Sequence, residues 1–247
     1  MTNSVPSPTP ARTRSTKVSA LESDTRDAIV RAALELFSKH GIDGVSLRQI
    51  VTAAGQSNPS AVHYHFQNKD GLVEAVVNRV IESLTPLQEQ ALASIAEADQ
   101  QGRLTVREVV RVSAMPLILL YSSGREGRLA IRFLSRLMWQ PHHVGQARLT
   151  EFGWQHLLKL VNILQALLPQ REPEALQFLV VMFFTNLIHG LADISLLGRQ
   201  QNLGMTQLYV HRSFDMIDWY IDYVAAGMSG VSKDTRVLHE PGAPYAA

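Results

Sequence analysis

The chain has 247 residues, 46% of them apolar, a formal net charge of +1 and no cysteine. Such a length and composition allow one large or two smaller globular domains, and exclude collagen-like or wholly disordered chains. The near-zero charge leaves any polyanion to be met by a local surface. The missing thiols exclude disulfides, cysteine nucleophiles and thiolate metal sites, in keeping with a reducing cytoplasm.

Residues 1–20, "MTNSVPSPTPARTRSTKVSA", lack the apolar segment of a signal peptide and carry Arg12, Arg14 and Lys17 without an acid. They read as a disordered basic arm able to touch DNA phosphates or a minor groove. From there the periodicity is helical nearly throughout, with no convincing alternating strand, so the expected fold class is all-α. In "TRDAIVRAALELFSKHG", Ile29, Ala33, Leu34 and Phe37 share one face and Gly41 supplies the stop. In "GVSLRQIVTAAG", Ser46 and Gln49 have the spacing of a capping box. Leu47, Ile50, Val51 and Ala54 form the stripe of this helix, and Gly55 ends it. Barely two turns long, it cannot stand alone.

The next stretch is "NPSAVHYHFQNKDG". Asn58 suits an N-cap and Pro59 a first helical position, while Val62 and Phe66, four apart, turn inward. That leaves Ser60, Ala61, His63, Tyr64 and His65 mostly outside. Asn68 then caps a long helix beginning with Lys69 and Asp70, which Pro86 is expected to bend or interrupt.

Further helices are expected near 105–121, 127–139, 144–168, 173–197 and 206–226, divided by the loops "SSGREG", "QPHH", "LPQREP" and "GRQQNLG". The organisation expected is a disordered arm over 1–20, a three-helix head over 21–70, a helical body over 71–228 and a flexible tail over 229–247. The run "FLVVMFFTNLIHGLADISLLG" is long enough to span a membrane. Asn186, His189 and Asp193 interrupt it at helical spacing, so it reads as a buried helix and no membrane partner is expected.

Two short helices around a Gly-containing turn, the second with polar residues outward, have helix-turn-helix geometry. A recognition helix buries one face on its own domain and offers the other to bases and phosphates, which accounts for the composition of this segment. Residues 25–80, with "LF…HG", "SLRQIVTAAG" and "SAVHYHFQNKDGL", resemble the TetR family of bacterial transcriptional regulators. Phe66, Lys69 and Leu72 fall where that family places an aromatic, a lysine and an apolar residue. The turn "GQSNPS" is slightly longer than the family's usual form. The resemblance implies that Tyr64 and His65 match phosphate or groove contacts, that His63 matches a position often held by Tyr, and that Lys69 matches a phosphate-touching lysine. Arg48 matches a position able to reach a base or the backbone. The DNA-facing candidates are therefore Arg48, Asn58, Ser60, Ala61, His63, Tyr64, His65 and Lys69, and the partner implied is double-stranded DNA with a palindromic operator.

The resemblance also implies a small effector bound by the C-terminal region and a homodimer built by the last two long helices. Read independently, those two helices are apolar on more than one face and so bury a second face in the monomer or against a partner. The dimer candidates are Phe184, Ile188, Leu191, Phe214, Ile217, Trp219 and Ile221. Such a two-fold pair places its recognition helices about 34 Å apart, one turn of DNA. The effector candidates are Met115, Leu119, Arg132, Arg136, Trp139, Phe152, Trp154 and Phe183. Arg125, Arg128, Arg132 and Arg136 recur along one predicted helix face. That stripe is either a solvated face paired with acids or a holder for an anionic head group, such as that of a fatty acid or acyl-CoA.

Metal and catalytic readings are weaker. His63 and His65 point about 200° apart on a helix, which does not suit shared coordination. His189 and Asp193 share a face but Ser195 points elsewhere, and no phosphate loop, dinucleotide fingerprint or zinc spacing is present, so neither enzyme activity nor a cofactor is expected. The reading is a cytoplasmic, ligand-responsive repressor. A helical protein-interaction module without DNA binding, or an activator lacking a small effector, stays open at this point.

Overall fold

The computed structural model describes residues 13–56, 60–140, 144–197 and 213–230, and all regular structure among them is helical. We number the helices α1 (Thr13–His40), α2 (Leu47–Ala53), α3 (Ser60–Phe66), α4 (Lys69–Gln100), α5 (Val106–Ser122), α6 (Arg125–Leu137), α7 (Val144–Leu167), α8 (Pro173–Leu197) and α9 (Ser213–Ser229). The expected bundle helices match within about two residues except the last, for which residues 201–212 lie outside the described set. The expected tail beyond residue 230 lies outside it as well.

Two local expectations change. Of the expected arm over 1–20, residues 13–20 belong to α1, which begins at Thr13, and residues 1–12 lie outside the described set. No Gly or Pro stands between Pro10 and Gly41, so nothing in the chain breaks the helix earlier. Pro86 does not interrupt α4, which runs through it to Gln100. A proline removes one intrahelical donor, and a long helix packed along its length tolerates that loss.

Contacts divide the chain into two compact units, one of Met1–Leu84 with Leu120–Glu151, the other of Thr85–Leu119 with Phe152–Ala247. This departs from the boundary expected near residue 70. The first unit holds not only α1–α3 but also the start of α4 and all of α6. The cause is the amphipathic face of α6: Ile131, Phe133, Leu134 and Leu137 are essentially buried, and the helix lies along α1. There Phe133 stacks with Phe37 at a centroid separation of 6.4 Å. Burying such a face contributes roughly 2 kcal/mol per large side chain, far more than α6 could obtain from solvent.

Charged side chains reinforce that packing. Arg125 of α6 pairs with Glu35 of α1, and Arg79 of α4 bridges Asp27 of α1 and Glu126 of α6. Hydrogen bonds from Lys39 and then from Arg125 hold the Glu35 carboxyl below its ordinary range.

The second unit takes the rest of α4, most of α5, the rest of α7, and α8 and α9. Leu160, Leu164, Leu176, Val180, Phe183, Ile221 and Met228 are buried in it. The Tyr220 hydroxyl of α9 donates to the Phe183 carbonyl of α8 at 3.0 Å. Arg171, in the loop before α8, donates to the carbonyls of Met228 and Gly227 at the end of α9, at 3.0 and 2.9 Å. Among the described residues α8 is the one helix long and apolar enough to cross a membrane. It carries a buried stripe and is tied to α9 through Tyr220.

Candidate nucleic-acid interface

The head is positioned by short-range chemistry. The Ser46 hydroxyl accepts from the Gln49 amide at 3.3 Å and the Gln49 side chain accepts from the Ser46 amide at 2.8 Å, so the capping box closes as expected. Ile50 and Val51 turn inward, which leaves Arg48 exposed on the other side of α2. Between α3 and α4 the chain reverses through Gln67, at φ 65°. Asn68 then caps α4, its side chain accepting from the Gly71 amide at 2.9 Å. A Cβ at Gly71 would stand 2.2 Å from the Phe66 carbonyl oxygen, so glycine is what lets α4 begin directly against the end of α3.

On α3 the two faces separate cleanly. Val62 and Phe66 are 0% and 5% exposed, whereas Tyr64 is 73% exposed and Ser60 and His63 also face outward. His65 is half-buried, with its ring edge-on to Tyr64 at 4.9 Å. Lys69 is half-buried in the first turn of α4. Ala61 lies within α3, while Asn58 lies outside the described residues.

His63 has a defined tautomer. Its Nδ1 is 2.7 Å from the Gln67 carbonyl oxygen, which can only accept, so Nδ1 carries a proton. Nε2 is then an acceptor in the neutral ring, suited to a base amino group, and a donor to phosphate only in the charged ring. Two residues not foreseen as part of this surface lie beside it on α1. Glu22 accepts a hydrogen bond from Tyr64, and the Arg26 guanidinium sits 5.2 Å above the Phe66 ring. Their spacing, one helical turn, is visible in the sequence, but which face of α1 meets α3 is not.

Residues 29–76, spanning most of this head, match the family described as bacterial regulatory proteins, tetR family. Residues 29–76 are thus a TetR-family segment. Over 93 residues it is 34% identical to the HTH-type transcriptional repressor NicS of Pseudomonas putida, covering 37% of this chain and 43% of that protein. Over 67 residues it is 37% identical to the HTH-type transcriptional repressor ComR of Escherichia coli, covering 27% and 31%. The chain thus matches less than half the length of either relative. The fold is similar to that of the TetR family transcriptional regulator PfmR of Thermus thermophilus, with a TM-score of 0.52 at 16% identity over 84% of this chain and 97% of that one.

The effector candidates are distributed over both units. Arg132, Arg136 and Trp139 belong to the first unit, whereas Met115, Leu119, Phe152, Trp154 and Phe183 belong to the second. The surroundings of three of them are defined. Trp139 is 72% exposed, because it follows the last residue of α6 and has left the apolar stripe. Leu119 is 43% exposed. Arg136 donates from Nε to the Ser38 carbonyl and from Nη2 to that of Lys39, so its guanidinium serves the end of α1. With Arg125 paired to Glu35, two of the four arginines of the stripe are engaged inside the first unit. Two clefts of the first unit, one beside Arg26, Asn78 and Arg148, the other beside Arg31, Ala53 and Leu129, contain none of the effector candidates.

The dimer candidates also divide. Ile188, Leu191 and Ile221 are at most 9% exposed and pack within the second unit. Phe184 and Ile217 are half-buried, and Phe214 is a residue of α9 whose side chain lies outside the described set. Trp219 is 47% exposed. Phe178, Val181 and Met182 of α8 and Tyr223 of α9, none of them a dimer candidate from the sequence, are also exposed. On a helix that is apolar all round, periodicity does not reveal which face its own unit covers.

Proposed function

We propose that this chain is a DNA-binding transcriptional repressor that works in the cytoplasm as a homodimer on a palindromic operator and is released by a small apolar or amphipathic effector. The observation that carries it is α3, a short helix anchored by Val62 and Phe66 whose Ser60, His63 and Tyr64 face outward within the segment that matches the family. In this reading α3 enters the major groove. Tyr64 donates to a phosphate, His63 Nε2 meets a base edge or phosphate, and Arg48 and Lys69 hold the backbone on either side.

Phe178, Val181 and Met182 on α8 and Trp219 and Tyr223 on α9 supply an apolar surface for the two-fold contact. Phe152, Trp154 and Phe183 supply apolar contacts for the effector. An effector of the fatty acid or acyl-CoA class has an apolar tail that suits such side chains. The effector lowers DNA affinity by preferring a conformation that binds DNA less well, and about 2 kcal/mol of preference gives more than tenfold release.

The test is selection from a randomised duplex library by the purified protein at two salt concentrations. One recovered palindrome, bound more weakly at the higher salt, supports the reading. A well-folded dimer that recovers no sequence overturns it.

A further inference from the structure

Glu22 and Arg26 stand one turn apart on α1 and both engage α3. The Tyr64 hydroxyl donates to Glu22 Oε1 at 3.2 Å, and Arg26 lies over the Phe66 ring. One turn of α1, from Glu22 to Arg26, therefore touches the recognition helix at an apolar anchor, Phe66, and at an exposed side chain, Tyr64. Tyr64 is 73% exposed, so the carboxylate does not serve to satisfy a buried phenol. A phenol has one proton and donates it to one acceptor at a time. A DNA phosphate offers the same chemistry as the Glu22 carboxylate, an anionic oxygen, and the two anions repel each other when brought to the same hydroxyl.

We propose that Glu22 is a built-in competitor for DNA: it occupies the Tyr64 hydroxyl in the free protein and must give it up before a phosphate can take its place. The inference rests on the reading of α3 as the DNA-facing helix. Its consequence is an affinity set below what the surface could reach. The same duplex is chosen but held less tightly, so an effector of modest conformational preference suffices to release it.

The experiment uses four full-length proteins: the native chain, Glu22→Ala, Tyr64→Phe, and the double variant. Each is titrated by fluorescence anisotropy against the duplex that the native protein selects from a randomised library. Competition predicts that Glu22→Ala tightens binding roughly three- to tenfold while selecting the same sequence, and that most of this gain vanishes in the Tyr64→Phe background. Glu22→Gln, which keeps a neutral acceptor, falls between the native chain and Glu22→Ala. An equal gain in both backgrounds would mean that Glu22 acts through its charge alone, and unchanged or weaker binding would mean that it assists DNA binding; either overturns the inference. Both positions are exposed, so melting temperatures close to native are expected. If the native protein itself selects no duplex, it is the DNA-binding reading that has failed, and this inference fails with it.

Discussion

Arg136 of α6 donates from Nε to the backbone carbonyl of Ser38 at 2.8 Å and from Nη2 to that of Lys39 at 3.1 Å. These carbonyls lie in the last turn of α1, where a helix runs out of its own donors and its dipole favours a cation. Replacing Arg136 with Met should therefore cost about 1–2 kcal/mol in urea unfolding, with Arg136→Lys recovering part of the loss. An unchanged midpoint would show that the guanidinium contributes nothing to the joint between α6 and α1.

Neighbouring residues of α3 should separate function from folding. Tyr64→Ala removes an exposed ring and is expected to weaken operator binding roughly tenfold, at a stability cost under about 0.5 kcal/mol. Phe66→Ala empties a buried position and should cost about 3 kcal/mol. A large loss of melting temperature in the Tyr64 variant would place that ring in the structure of the head and not on its DNA-facing side.

His156 of α7 is buried, with its Nε2 atom lacking a partner among the described residues, and it lies 6.1 Å from the Phe184 ring. Burial, and secondarily the charge of Lys159, push its pKa down from 6.5 to about 4. The unfolded chain thus binds the proton first, so stability is fully present above about pH 6.5, falls as the pH drops toward 4, and levels off below. The contribution at stake is on the order of 3 kcal/mol. Chemical denaturation of the native protein and of His156→Gln across that window should show a slope in the former that is much reduced in the latter.

The exposed apolar residues of α8 and α9 give a test of self-association. Phe178→Asp combined with Trp219→Asp should weaken a two-fold dimer by about 2 kcal/mol or more, because each substitution occurs twice at an isologous contact. Sedimentation equilibrium would show the shift, while helical content stays native because both side chains are already exposed in the single chain. A dimer of unchanged strength would move the contact to another face.

The head was legible in the sequence because its determinants are local. Ser46 and Gln49 are three residues apart, Val62 and Phe66 one turn apart, and Asn68 sits three residues before the amide it caps. The arginine stripe was legible only as a periodicity. Its partners, Glu35 and the carbonyls of Ser38 and Lys39, lie nearly a hundred residues upstream, and no spacing rule reaches that far.

What the sequence determined by itself was the set of helices, their caps and the two faces of α3, since each depends on interactions within one or two turns. What the tertiary structure decided was which faces find partners. It joined α6 to the head, turned Arg136 toward α1, buried Ile188 and Leu191 while leaving Phe178 and Met182 exposed, and brought Glu22 to Tyr64. A helix that is apolar or charged on several sides has several ways to pack, and only the summed burial and pairing across distant segments selects one of them.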